Sequence, residues 1–344
     1  MMTRSEALDL FSSDDLIGIG MAADAVRRKL HPEGVVTYII DRNINYTNVC
    51  TEYCSFCAFY RAVGHKESYI LPNQVIFDKI QETLDLGGTG VLMQGGLHPD
   101  LKIEWYEDLF RAIRDRFPQV WLHCLSAPEI TNIAQVSELS LRDTISRLRD
   151  AGLQSIPGGG AEILDDGVRY RISRLKCTTQ DWLDVHRTAH QLGMRTTATM
   201  MFGCGENIEQ RMNHLDLVRN LQDEYGGFTA FIPWTFQREN TSLGRFVKEE
   251  ATAVEYLQTL AISRLYLENF LNVQSSWVTQ GLKTCQVGLR FGGNDVGSIM
   301  IEENVVSQAG AHHHAHEEDL RRIIREAGFV PKQRDTLYRT YFLN

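Results

Sequence analysis

Cys50, Cys54 and Cys57 stand within eight residues of one another, in the stretch Asn45-Tyr-Thr-Asn-Val-Cys-Thr-Glu-Tyr-Cys-Ser-Phe-Cys-Ala-Phe-Tyr-Arg61. Thiolates at this spacing can hold three irons of a cubic [4Fe–4S] cluster and leave the fourth iron open to a small molecule. An open iron makes a site catalytic rather than merely electron-carrying. A structural zinc ion is one alternative, but it asks for a fourth ligand, and the nearest candidate, His65, lies eight residues further on. Three unrelated core cysteines are the other alternative. Cys124, Cys177, Cys204 and Cys285 are scattered and read as small buried hydrophobes.

A loop of this kind needs a rigid frame. Ser5–Phe11 and Asp14–Lys29 carry helical patterns and are expected to close the bottom of that frame. Val35–Ile40 is short and β-branched and is expected to be the first buried strand, delivering the cysteine loop from its C-terminal end. Helical and strand patterns then alternate. Strands are expected at 90–94, 120–125, 153–156, 196–202, 228–234, 272–276 and 296–301. Helices are expected between them, including one running to Asp150 and a last one at 317–326. Eight strand–helix units fit a parallel barrel or a doubly wound sheet, and the absence of a phosphate-loop fingerprint after the first strand favours the barrel. The chain is expected to divide into a helical extension, 1–34, and an α/β domain, 35–344.

In a barrel the residues just after each strand share one mouth. Gln94-Gly95-Gly96 follows the second strand, and its glycines let the backbone approach a ligand closely. The third strand ends in His123, Ser126 and Glu129, the fourth in Pro157-Gly-Gly-Gly-Ala-Glu162, and the fifth in Phe202-Gly203-Cys-Gly205-Glu206. Further on come Thr235, Gln237 and Arg238, then Gln274 and Ser275, then Arg290, Asn294 and Asp295. This second group is rich in amide and guanidinium donors suited to sugar hydroxyls and a carboxylate.

The C-x3-C-x2-C spacing and its flanks, together with Met93-Gln-Gly-Gly-Leu-His-Pro99 and Gly293-Asn-Asp-Val-Gly-Ser298, resemble the radical S-adenosylmethionine (SAM) enzymes. Within them the similarity is to the futalosine cyclase group of menaquinone biosynthesis, and it runs from about Tyr38 to the C-terminus. The resemblance implies a (βα)8 TIM-type barrel with a [4Fe–4S] cluster on Cys50, Cys54 and Cys57 and SAM as second cofactor. Phe56 would pack beside the SAM adenine, and Gln94, Gly95 and Gly96 would hold the SAM amino group. Glu162 would reach the ribose, Gly203 and Gly205 would lie beside the adenosine, and Ser126 would join this cofactor set. Thr235, Gln237, Arg238, Gln274, Ser275, Arg290 and Asn294 are the expected substrate contacts, and Asp295, with Glu129 as rival, the expected base.

The implied reaction is the cyclisation of dehypoxanthine futalosine, with a flavodoxin or ferredoxin as electron donor. An aminofutalosine synthase or a deazaflavin-cofactor synthase subunit shares the barrel and similar strand-end motifs. A non-catalytic iron–sulfur or zinc protein has no need of glycine-rich strand ends. A net charge of −9 and a pI near 5.7 argue against nucleic-acid or anionic-membrane surfaces and favour a small-molecule substrate. No apolar run approaches a membrane span, no leader precedes the odd number of cysteines, and a reducing cytoplasm is expected. His312–His314 and His316 read as a solvated loop or helix start, with an adventitious metal site as the alternative.

Overall fold

The computed structural model describes residues 2–340; residues 341–344 of the expected α/β domain lie outside them. Helices α1 (Arg4–Phe11) and α2 (Leu16–Leu30) come first, then strands β1 (Val35–Ile39) and β2 (Asp41–Ile44), separated only by Ile40. There follow α3 (Asn73–Asp85), β3 (Gly90–Met93), α4 (Ile103–Arg116), β4 (Trp121–Cys124), α5 (Ala127–Val136), α6 (Leu141–Ala151) and β5 (Ser155–Ile156). The chain continues with α7 (Asp166–Ile172), α8 (Thr179–Gln191), β6 (Arg195–Phe202), α9 (Ile208–Tyr225), β7 (Phe228–Thr235), α10 (Ala253–Tyr266) and β8 (Asn272–Val273). It ends with α11 (Gly281–Gly288), β9 (Asp295–Ser298), α12 (Glu317–Glu326) and β10 (Val330–Gln333).

β2 to β8 form one parallel sheet in sequence order. A parallel bridge from Gln274 to Asp295 joins the end of β8 to β9, and β9 pairs in parallel with β1. Because β1 runs on through Ile40 into β2, the ring closes, with β1 and β2 sharing one of eight staves. β10 pairs with the other edge of β1, from Val35↔Val330 to Tyr38↔Gln333.

The helices cover this ring because each carries an apolar stripe; α4 buries Ile103, Tyr106, Leu109, Phe110 and Ile113. Side-chain caps fix several starts, among them Ser140 for α6, Thr178 for α8 and Asn207 for α9. The helix expected to run to Asp150 is in fact two. Glu138 takes a positive φ of 56°, and Ser140 then starts α6 afresh.

Two expectations are corrected. The cysteine loop leaves from β2 and not from the Val35 strand, which belongs to the three-stranded sheet with β9 and β10. The N-terminal helices do not close the bottom: α1 packs on α9 and α10, and α2 lies along α10. The floor comes instead from the segment after β10, whose Arg334, Thr336 and Tyr338 line the barrel interior. No helix among the described residues is long and apolar enough to cross a membrane.

Candidate functional site

β2 delivers residues 45–61 to the mouth of the barrel, where backbone bonds from Cys50 N to Arg61 O (3.0 Å) and Arg61 N to Asn48 O (2.7 Å) shape the loop. Arg61 Nη1 donates to the carbonyls of Ala58, Phe59 and Tyr60 at 3.0–3.2 Å and so holds the turn after the third cysteine. Cys54 is buried, and Cys50 and Cys57 are half-buried. Burial pushes all three thiols up. Backbone N–H groups of Leu97 and Glu52 oppose this at Cys50, as those of Phe59 and Tyr60 do at Cys57. N–H donors aimed at sulfur are what cluster thiolates accept, so the donor set fits a [4Fe–4S] group held by these three residues. Among the described residues no three His, Cys, Asp or Glu side chains converge on a single-ion site.

The Gln94-Gly95-Gly96 turn packs directly against this loop. A Cβ on Gly96 would collide with the Val49 carbonyl, and one on Gly95 would lie 2.7 Å from the Tyr46 ring. Glu129 fastens the turn from below: its Oε1 accepts from Gly95 N (2.8 Å) and Tyr46 Oη (2.7 Å), and its Oε2 accepts from Ser126 N (2.7 Å) and Oγ (2.6 Å). Glu129 and Ser126 thus form the capping box of α5. Burial raises the Glu129 carboxyl, with those donors working the other way. Both its oxygens are engaged, so the arrangement is that of a fixed support for the glycine turn rather than of an available base.

Glu162 is buried at φ 42°. Lys176 Nζ donates to its Oε1 at 2.9 Å, while Oε2, 3.8 Å from Arg169, has no hydrogen-bond partner. Burial works against the Lys176 charge, but Glu162 beside it holds the ammonium above its ordinary value. The same ammonium lies 5.2 Å over the Phe56 ring. Neither Lys176 nor Arg169 was expected at the site: Arg169 lies in α7, a helix the sequence reading did not mark, and Lys176 in the turn before α8. Gly203 and Gly205 take φ of 77° and 98°. Gly203 N and Cys204 N donate to Glu206, which is paired with buried Arg211 at 2.6 Å.

Below the loop the barrel encloses a cavity of about 320 Å³, large enough for one small organic ligand. Polar side chains from several staves reach it, among them Asp41, Asn43, Gln94, His123, Thr199 and Gln274, beside apolar Leu92, Ile232 and Trp234. Burial pushes the Asp41 carboxyl up to about 6. Asp41 and Asn43 escaped the sequence reading because the first strand was ended at Ile40; their i, i+2 spacing was the available signal.

Several expected substrate contacts stand elsewhere. Gln274 and Ser276 face the cavity, so Ser275 between them points outward and donates to the Cys285 carbonyl at 2.9 Å. Asn294 is buried in a structural knot with Arg264 (2.6 Å), Asn272 (2.9 Å) and Val273 N (2.9 Å). Arg290 is on the outside, donating to the Ala327 carbonyl at 2.6 Å and lying 4.3 Å over the Phe329 ring. Arg238 donates to the carbonyls of Lys248 and Gly244 and borders a separate open groove beside Cys57. Gln237 is turned onto Thr235, donating to its Oγ1 at 3.2 Å, and Gln280 donates to the same hydroxyl at 2.6 Å.

Asp295 is not at the mouth. It opens β9 near the floor, fully buried, and is bound by Arg334 Nε (2.5 Å) and Nη2 (3.0 Å), Thr37 Oγ1 (2.5 Å) and Gly297 N (2.8 Å). A carboxylate so engaged is a structural anion. The histidine run is partly accounted for: His316 caps α12, and His312–His314 are exposed.

Residues 44–218 match the radical SAM superfamily, and residues 225–343 match the CofH/MqnC C-terminal region. A cyclic dehypoxanthine futalosine synthase of Halalkalibacterium halodurans is 50% identical over 98% of this chain and 90% of its own length. A 5-amino-6-(D-ribitylamino)uracil–L-tyrosine 4-hydroxyphenyl transferase of Methanothermobacter thermautotrophicus is 41% identical over 98% of this chain and 94% of its own. The crystal structure of a methylornithine synthase superposes with a TM-score of 0.74 at 18% identity, covering 96% of this chain and 94% of that one, a likeness of fold.

Proposed function

Since the chain belongs to the radical SAM superfamily, in the group with a CofH/MqnC C-terminal region, we propose that it cyclises dehypoxanthine futalosine in the futalosine route to menaquinone. The 50% identity to a cyclase of that name over nearly the whole of both chains carries this reading. When bound, the cluster and SAM would supply the radical chemistry, abstraction of the ribose C4′ hydrogen, and would take back the one electron that must leave, together with a proton, once the ring has closed onto the benzoate.

The chain's own residues prepare for that chemistry. Cys50, Cys54 and Cys57 hold the cluster at the mouth. Glu162, bound at Oε1 by Lys176, turns its unpartnered Oε2 toward vicinal hydroxyls of the SAM ribose. Asn43, Gln94 and Gln274 offer amide groups to the substrate sugar, and Leu92, Ile232 and Trp234 offer apolar faces to its aromatic ring. Loss of the ring proton after closure needs a base within reach. Asp41 is the cavity-lining carboxyl suited to this, because Asp295 is held by Arg334 and Glu303 accepts from the backbone of Val305, Val306 and Ser307. The electron arrives from a small redox protein such as a flavodoxin or ferredoxin in the cytoplasm.

The test is turnover of substrate deuterated at C4′ by anaerobically reconstituted protein with SAM and a reductant. Deuterium should appear in 5′-deoxyadenosine together with a cyclised product. Unlabelled 5′-deoxyadenosine during efficient turnover rejects C4′ abstraction, and an adenosylated product would make the chain an aminofutalosine synthase.

A further inference from the structure

Trp121, Ser155 and His123 form a short relay in the barrel wall. Trp121 Nε1 donates to Ser155 Oγ at 2.8 Å, and that oxygen lies 2.7 Å from His123 Nδ1. An indole N–H can only donate, so the Ser155 oxygen accepts it, and the hydroxyl has a single proton to place. Ser155 is buried, and His123 Nδ1 stands at hydrogen-bond distance to take that proton. With the Ser155 hydroxyl donating, the ring accepts at Nδ1 and carries its proton on Nε2. His123 borders the cavity, and its Nε2 has no hydrogen-bond partner among the described residues.

From this relay we infer that His123 is a substrate-positioning donor whose Nε2–H meets a carbonyl oxygen of the ligand; resting on the function proposed above, that oxygen is the aryl ketone of dehypoxanthine futalosine. The surroundings favour a neutral acceptor over an anion. Burial, aided by the Arg334 charge, brings the imidazole down to about 3, so the ring stays neutral at working pH. The charged groups lining the cavity are Asp41 and Glu303, neither suited to hold a carboxylate, and Arg334, whose donors are directed at Asp295 and the Asp335 carbonyl. A neutral donor fixed in one tautomer also costs little reorganisation when the ketone oxygen gains electron density as the adjoining ring is attacked.

Two measurements on the reconstituted protein test this. Nitrogen-15 NMR of labelled histidines, with His123 assigned by difference against His123→Gln, should show the Nε2–H tautomer from pH 5.5 to 8.5 and a shift of Nε2 when substrate is added. An Nδ1–H tautomer, or titration in that range, overturns the inference. Calorimetry should give roughly tenfold weaker substrate binding for His123→Phe, near-normal binding for His123→Gln, whose amide restores a donor, and no difference between wild type and His123→Phe for an analogue with methylene in place of the ketone. Equal binding of the ketone by wild type and His123→Phe overturns the inference. Wild-type protein that binds no dehypoxanthine futalosine overturns the ketone assignment along with the proposed substrate, and the tautomer then decides the donor separately.

Discussion

Lys176 Nζ lies 2.9 Å from Glu162 Oε1, and both side chains are almost wholly enclosed. Removing the ammonium leaves a buried carboxylate with only Arg169 at 3.8 Å for company. Lys176→Met should therefore cost about 3 kcal/mol, the low end for breaking a buried pair, measured by urea unfolding. Glu162→Gln should weaken SAM binding about tenfold, since a charge-assisted contact becomes a neutral one, and leave binding of dehypoxanthine futalosine nearly unchanged. Unaltered SAM affinity would return Glu162 to a purely structural role.

Each of Cys50→Ala, Cys54→Ala and Cys57→Ala should lose SAM cleavage and most of the bound iron, because one uncoordinated corner makes a cluster labile. Iron analysis after anaerobic reconstitution reads this directly. A variant with full iron and normal 5′-deoxyadenosine would remove that cysteine from the ligand set.

Gly96→Ala carries a different expectation. The added methyl would meet the Val49 carbonyl, with Cys50 Cβ 2.9 Å away, so the cysteine loop must shift at an overpacking cost of about 1–3 kcal/mol. Iron content should fall although no ligand is changed. Full iron and normal turnover would mean that the two turns can separate without loss.

The two acidic residues of the interior should respond in opposite ways. Asp295→Ala strands a buried guanidinium and should destabilise by about 3–5 kcal/mol. Asp41→Asn should keep SAM cleavage and lose cyclised product. Thermal melts and product assays on the pair separate the roles; a stable Asp295→Ala variant lacking only product would restore Asp295 as the base.

Asp41 also sets a pH dependence. Its carboxyl stands at about 6, against an ordinary value of 3.8, so between those values the unfolded chain releases the proton first and the folded state loses stability as pH rises. The cost is absent below 3.8, complete above about 6, and amounts to about 2–3 kcal/mol. Asp41→Asn should consequently melt above wild type at pH 8 and by a smaller margin at pH 4.5. Equal melting at both would mean that Asp41 is well solvated in the cavity.

What the sequence made legible was local. The cysteine spacing, the paired glycines at 95 and 96 and the alternation of strands and helices are short-range patterns, and they are where the structure has them. Sidedness and depth were not legible. Ser275 and Gln274 are neighbours in sequence and face opposite ways, which depends on a register set by the bridge to Asp295. Asp295 was expected at the mouth because nothing near it in sequence announces Arg334, a partner 39 residues away. Arg290 and Asn294 had donor chemistry suited to a ligand, yet tertiary packing gives them carbonyls and amides of the chain itself.

The placement of Arg334, Thr336 and Tyr338 under the cavity has a consequence for biosynthesis. β1 is among the first strands to leave the ribosome, yet both its neighbours, β9 and β10, are among the last. Through most of translation the nascent barrel is thus an open trough with an unpaired leading edge and no floor, and such late, long-range closure is slow. Cluster insertion into the cysteine loop can precede that closure, whereas a pocket able to retain substrate cannot exist until the final segment has docked.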